Sequence, residues 1–331
     1  VTVRYLSLFS GVGGFELGLQ AAGEQLGIDV ECVGYSEINK WAIKVYEKHF
    51  QHPQLPGVQE IEQASLPGFD LLVAGFPCQS FSTAGNRLGF DDTRGTLFFD
   101  IARILQHSRP RHFILENVEG LLSHDAGKTF STIVGVLSGL GHGLDGYAVE
   151  WQILDSQDHG VPQSRRRVII VGHLGGVPER PVFPLGVNIG RKVDGDQKRS
   201  RYLDRLYDPV IEDTPPGEWF AVVRDRDEKG NPVWSTRNIC STIDAHYGAG
   251  PGFLGNRTSV ARIDNGVLRV RRLTPLEVER CSGFADNWTA GLSDSQRYQR
   301  IGNAVVPNVI RDVALALYED RKVNLPGASL P

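Results

Sequence analysis

The sequence predicts an α/β fold built on a doubly wound sheet, followed by a smaller irregular second domain. Three observations carry that prediction. Short β-branched or apolar runs alternate with stretches of helical apolar spacing through residues 1–175. A glycine-rich turn at Gly11, Gly13 and Gly14 stands where the first strand passes into the first helix. From Gly175 to Pro184 the chain is rich in Gly and Pro and the alternation stops.

In chain order, Val3 to Phe9 reads as a strand and Phe15 to Leu26 as a helix, then Val30 to Tyr35 as a strand and Trp41 to His49 as a helix. Asp70 to Ala74, His112 to Leu115 and Val168 to Val171 are compact apolar runs of the kind buried in parallel sheets. Helical spacing fills Leu97 to Leu105 and Thr129 to Leu140 between them, and it resumes from Val305 to Tyr318. Short runs, charges and a glycine cluster at Tyr247 to Gly255 fill the region between. The expected division is residues 1–175 with 294–331 as one domain and 176–293 as the other.

Composition bounds the function. With 40% hydrophobic and 22% charged residues in 331, the chain can bury a sizeable core and is not a disordered tail. No run of 18 apolar residues exists to span a membrane. Val1 to Ser7 shows no basic region before an apolar run, so no signal peptide is expected. Cys32, Cys78, Cys240 and Cys281 lie far apart with no CxxC pair, which argues against a disulfide framework or a zinc site and for a reducing cytoplasm. The net charge of -4 is uneven: Leu185 to Pro275 holds 15 Lys and Arg against 12 Asp and Glu. A mildly basic segment in an acidic chain is compatible with a nucleic-acid face.

The motifs are sharper. Phe9-Ser-Gly-Val-Gly-Gly-Phe15 can turn tightly and present free helix N–H groups to a ligand. Its glycines depart from GxGxxG, which favours a nucleoside cofactor other than a dinucleotide. Glu37 ends the second strand, where a carboxylate can accept from ribose hydroxyls; Asp70 opens the next strand and could accept from an adenine amino group. Gly75-Phe-Pro-Cys-Gln-Ser-Phe-Ser82 places Cys78 just past a buried strand, at the carboxyl edge where α/β sheets carry their sites. A thiol in such a loop suits a nucleophile, whereas Cys32, Cys240 and Cys281 read as inert. Glu116-Asn-Val118 ends another strand at the same edge, where a partly buried carboxyl group can donate a proton. Gln163-Ser-Arg-Arg-Arg167 sets Arg165 and Arg167 on one face of an extended chain, suited to phosphate or base.

Taken in order, FSGVGG, Glu37, Asp70, GFPCQSFS, ENV, QSRRR, Arg272-Leu-Thr-Pro-Leu-Glu277 and Gly302-Asn-Ala-Val305 resemble the DNA cytosine-5 methyltransferase family. The resemblance implies a Rossmann-like S-adenosylmethionine-dependent methyltransferase domain and a smaller target-recognition domain, with duplex DNA between them. It implies cofactor contacts from Phe9, Gly11, Gly13, Gly14, Glu37, Ile38, Asp70, Pro77, Asn303 and Val305. Ile38 stands where the family often has an aromatic residue. Residues Gln79 to Gly95 match the family's catalytic loop, so Gln79, Ser82 and Arg87 are expected at the DNA. Thr242, in a Thr-Ile pair similar to a recognition-domain signature, is expected there too.

The implied chemistry is addition of Cys78 to carbon 6 of a flipped cytosine. Glu116 acts at ring nitrogen 3, Arg165 binds the ring carbonyl and Arg167 buttresses the site; no metal takes part. A monomer is expected, in the cytoplasm and at the nucleoid; a methylase paired with a separately acting restriction endonuclease, a solitary host enzyme and a phage-borne one all fit this length. The same reaction on RNA is the alternative, against which a recognition region of this size argues. A dehydrogenase would share the glycine turn but leave Cys78 and the arginines unexplained. A silent DNA-binding protein would have no use for an intact Pro77-Cys78 and Glu116-Asn117.

Overall fold

The computed structural model describes residues 2–77, 97–140, 146–178, 180–185, 220–226, 232–236, 240, 243, 258–264 and 267–319. By backbone contacts the chain divides into two compact units. The first comprises Val1–Leu154, Arg166–Leu185 and Val309–Pro331, and the second Asp155–Arg165 and Gly186–Asn308.

The first unit is organised on a seven-stranded sheet of order β3-β2-β1-β4-β5-β7-β6. Its strands are β1 (Thr2–Leu8), β2 (Asp29–Ser36), β3 (Gln54–Leu55), β4 (Leu71–Gly75), β5 (His112–Val118), β6 (Tyr147–Asp155) and β7 (Arg166–Leu174). β1 pairs in parallel with both β2 and β4, and β4 with β5. The chain therefore moves outward on one side of β1, then returns to start β4 on the other. That reversal makes the carboxyl ends of β1 and β4 the switch point, where open α/β sheets hold ligands.

Helices α1 (Gly14–Leu26), α2 (Lys40–His49), α3 (Leu97–Ser108) and α4 (Lys128–Gly139) separate the strands. Asn39 caps α2 by accepting from the N–H groups of Trp41 and Ala42. α3 turns Phe98, Ile101, Ala102, Ile104 and Leu105 inward. There they join Leu72, Phe113, Leu115 and Ile170 in one buried core.

Two features differ from the reading of the sequence. Val168–Val171 was expected among parallel strands, yet β7 runs antiparallel to β5, with Val118 opposite Arg167 and Glu116 opposite Ile169. An apolar run buried on both faces looks the same in either direction, so its composition holds no record of it. β6 escaped notice because its half-buried residues show no clear period.

The second unit is less irregular than its composition suggests. It contains a four-stranded antiparallel sheet of order β11-β10-β8-β9, from β8 (Phe220–Arg226), β9 (Pro232–Thr236), β10 (Thr258–Asp264) and β11 (Val267–Arg272). α5 (Pro275–Cys281) begins with a reciprocal capping box between Thr274 and Glu277. α6 (Asp294–Asn303) follows, and α7 (Pro307–Tyr318) leads back into the first unit. The expected return at residue 294 thus stands against an observed one at Val309. Side-chain bonds account for the difference: Arg297 of α6 donates to Glu279 of α5 at 2.9 Å, and Tyr298 Oη donates to the Leu273 carbonyl at 2.7 Å.

Candidate active site

The turn after β1 is held by the end of β2. Ser10 N–H donates to the Ser36 carbonyl at 3.2 Å, and Gly11 N–H donates to Glu37 Oε2 at 3.0 Å. Phe9, Gly11 and Gly13 have φ of 54°, 58° and 92°. For Phe9, a non-glycine residue, that conformation costs on the order of 1–3 kcal/mol and persists because its surroundings enforce it. At Gly13 a side chain would also collide, since its Cβ would fall 2.2 Å from Cε2 of Phe50. Gly13 caps α1 without any side-chain hydrogen bond. The first-turn N–H groups of α1 therefore suit an anionic group such as an amino-acid carboxylate.

Glu37 does more than wait for a ligand. Its Oε1 accepts from the N–H groups of Ile38 and Asn39, both at 2.8 Å, while Oε2 holds Gly11. A carboxylate accepts about four hydrogen bonds, so Oε2 retains capacity for one more. Ile38 is 81% exposed beside this carboxylate, a large apolar side chain open to a flat apolar partner. Gly57 stands against it: a Cβ there would lie 3.2 Å from Ile38 Cγ2.

The second half of the site lies on β4, β5 and β7. Arg167 Nε lies 3.0 Å from Glu116 Oε1, with both side chains largely buried. Glu116 Oε2 lies 3.6 Å from where a Cβ on Gly75 would sit, so the carboxyl group faces the end of β4. Asn117, buried beside it, donates to the Phe76 carbonyl at 2.8 Å and accepts from Val118 N–H at 2.8 Å. The Glu116-Asn117 pair therefore joins the arginine of β7 to the chain leading into exposed Pro77. Cys78, Gln79, Ser82, Arg87 and Thr242 lie outside the described residues.

The profile of the family described as C-5 cytosine-specific DNA methylase matches residues 3–319. The chain belongs to that family. It is 35% identical to the Type II methyltransferase M1.ScrFI of Lactococcus lactis subsp. cremoris, over 96% of this chain and 79% of that protein. It is 32% identical to the Type II methyltransferase M.HhaI of Haemophilus parahaemolyticus, over 94% and 93%. Among solved structures, the fold resembles a Spodoptera frugiperda DNMT2 mutant with a TM-score of 0.64 at 20% identity, covering 96% of this chain and 99% of that one. The protein is a DNA cytosine-5 methyltransferase with the α/β fold of S-adenosylmethionine-dependent methyltransferases.

Two carried-over assignments sit differently in this methyltransferase. Asp70 precedes β4, and its carboxylate accepts from Arg4 N–H at 3.0 Å. Parallel strands send their carboxyl ends to one edge, so Asp70 stands at the opposite end of the strand from Gly75, away from the edge that carries Glu37 and the Phe9–Gly14 turn. Arg165 is buried, with Nη1 donating to the Ile243 carbonyl at 3.0 Å and Nη2 to the Ala304 carbonyl at 2.9 Å. It organises the second unit through backbone carbonyls. Asn303, exposed, and Val305, buried, flank Ala304 in that unit.

The methyltransferase also buries groups that the sequence did not single out. Glu16 of α1 is fully buried, and burial pushes its carboxyl up to about 7. Tyr46 Oη donates to Glu16 Oε1 at 2.9 Å and lies 2.9 Å from His52 Nδ1, forming a chain behind the glycine turn. The thiols of Cys32, Cys240 and Cys281 are all buried, and burial raises that of Cys32 to about 12. Among the described residues no group of three or more His, Cys, Asp or Glu could hold a metal ion, and no helix is long and apolar enough to cross a membrane.

Proposed function

We propose that this methyltransferase binds S-adenosylmethionine at the Phe9–Gly14 turn and methylates a cytosine of duplex DNA that is flipped onto Cys78. The observation that carries the reading is the Glu116–Arg167 pair, 3.0 Å apart and facing the end of β4 two residues before Pro77. The donor set suits the cofactor: the start of α1, where Gly13 supplies no side-chain cap, for its carboxylate, one open site on Glu37 Oε2 for a ribose hydroxyl, and Ile38 for an adenine face. When bound, the cofactor supplies an electrophilic methyl group to carbon 5.

The protein's own groups prepare that carbon. The Cys78 thiolate forms a bond to carbon 6, and the ring π pair shifts toward carbon 5 as negative charge develops on the ring. Glu116 gives a proton to ring nitrogen 3, which offsets that charge. Arg167 orients Glu116, and its fork is the cation best placed for the ring carbonyl, since Arg165 is engaged with Ile243 and Ala304. Solvent water then takes the carbon 5 proton, the carbon 6–sulfur bond breaks to release the thiolate, and the nitrogen 3 proton returns to Glu116, which restores the aromatic ring. A stacked base cannot meet these groups, so the base leaves the helix first.

Duplex DNA with 5-fluorocytosine at the target tests this. The fluorine cannot leave as a proton, so a covalent complex that survives denaturation is expected with the wild type and not with Cys78→Ser. Absence of an adduct from active protein overturns the nucleophile assignment. Methyl incorporation into RNA but not duplex DNA overturns the substrate.

A further inference from the structure

Between the short strand β3 and β4 the chain passes through Pro56–Ser65, with single 3₁₀ turns at Val58–Glu60 and Gln63–Ser65. The sheet scarcely holds this stretch, because β3 pairs with β2 only at Tyr35–Gln54 and Ser36–Leu55. Its start is tied to β2 by Ser36 Oγ, which donates to the Pro56 carbonyl at 2.7 Å. From there Gly57 lies against exposed Ile38, so the stretch forms the outer wall beside Glu37.

The far side of the wall is held by one side chain of α3. Arg103 Nη1 donates to the Ile61 carbonyl at 2.9 Å and to Gln63 Oε1, while Nη2 donates to the Val58 carbonyl at 3.1 Å. Asp100, one turn earlier on α3, fixes the guanidinium at 3.2 Å. Val58 and Ile61 are themselves buried against α3. Beyond the Ser36 tie at Pro56, the planar fork of Arg103 joins two backbone carbonyls of the wall to α3.

We infer that Arg103 is a positioning residue for the cofactor: it sets the Pro56–Gln63 wall against Ile38 and thereby shapes the nucleoside side of the site. The inference rests on the proposed binding of S-adenosylmethionine at the Phe9–Gly14 turn. A lysine cannot replace this residue fully, since one ammonium cannot reach both Val58 and Ile61 carbonyls in the fixed geometry of a guanidinium.

The test is a split of kinetic constants with direct binding beside it. Arg103→Ala is expected to raise KM for S-adenosylmethionine about tenfold or more, the loss of one or two charge-assisted hydrogen bonds. KM for DNA and kcat at saturating cofactor should stay within about twofold of wild type on the same scale. Calorimetry with S-adenosylhomocysteine and no DNA should show the same loss of affinity. Arg103→Lys, which keeps charge and aliphatic stem, should recover part of it, and it carries the test if the alanine variant does not fold. Unchanged cofactor affinity in either folded variant overturns the inference, as does a fall in kcat with KM unmoved. A wild-type protein that binds no S-adenosylhomocysteine in the same titration, yet is active, overturns the cofactor reading itself and this inference with it.

Discussion

Arg167 meets Glu116 at 3.0 Å because β7 runs against β5, which brings the first residues of one strand to the last residues of the other. A parallel β7 would have left the arginine at the far edge of the sheet. Arg167→Ala should therefore lower kcat by about 10²-fold or more by leaving a largely buried carboxyl group without its partner. Arg167→Lys should recover only a fraction, as a point charge lacks the fork. Single-turnover methyl transfer at saturating DNA and cofactor measures both, and a variant at wild-type rate removes Arg167 from the reaction.

Asn117 fixes the Phe76 carbonyl, two residues ahead of Cys78. Asn117→Ala frees that segment, and a small displacement of a nucleophile costs about 10²-fold in rate. The expected result is slow formation of the 5-fluorocytosine adduct with cofactor affinity retained. A stopped-flow or quench series on the adduct reads this directly.

Gly13→Ala combines a φ of 92° with a Cβ 2.2 Å from the Phe50 ring. Either the ring or the turn must shift, so both stability and cofactor binding should fall. A drop in Tm together with lost protection by S-adenosylhomocysteine is the expected pattern. Wild-type Tm in this variant would mean that the turn tolerates a side chain there.

Glu16 gives a pH signature. Burial raises its carboxyl to about 7 in the folded protein, above its ordinary value of 4.5. The folded state then binds more protons than the unfolded state between those values. The stability that goes with the neutral form is full below 4.5 and is lost as pH rises through 7, by roughly 3 kcal/mol in all. Glu16→Gln, always neutral, should melt higher than wild type at pH 8.5, with the gap narrowing toward pH 5. An equal gap at both pH values would contradict a buried, titrating Glu16.

In the second unit, Glu279 is fully buried and accepts from Arg297, from Thr289 N–H and from the Thr289 hydroxyl. Arg297→Met should cost about 3–5 kcal/mol by stranding the carboxylate, more than Glu279→Gln with Arg297 in place. Urea unfolding of the two variants ranks them.

The extent to which the chain could be read without its structure follows from the kind of information each feature needs. The glycine turn, Glu37 at the end of β2 and Glu116 at the end of β5 are local: each is set by a strand ending where polar or glycine residues begin. Asp70 shows the limit. Its place in the chain matched a family pattern, but a residue that precedes a parallel strand sits at the wrong end of it, and its carboxylate holds Arg4. Arg165 and Arg167, two apart in one basic run, looked like a pair and have separate partners. Arg103 was not singled out, since a polar residue on an amphipathic helix is ordinary and its only local partner is Asp100 one turn before it.

The amino-acid order alone settled most of the alternation of strands and helices and the family, because period, turn residues and short motifs are written within a few neighbours. The direction of β7, the two carbonyls that occupy Arg165, the burial of Glu16 and the hold of Arg103 on the Val58 and Ile61 carbonyls were decided only in three dimensions. Those depend on which distant segments come within hydrogen-bonding reach, and chain separation carries no measure of that distance.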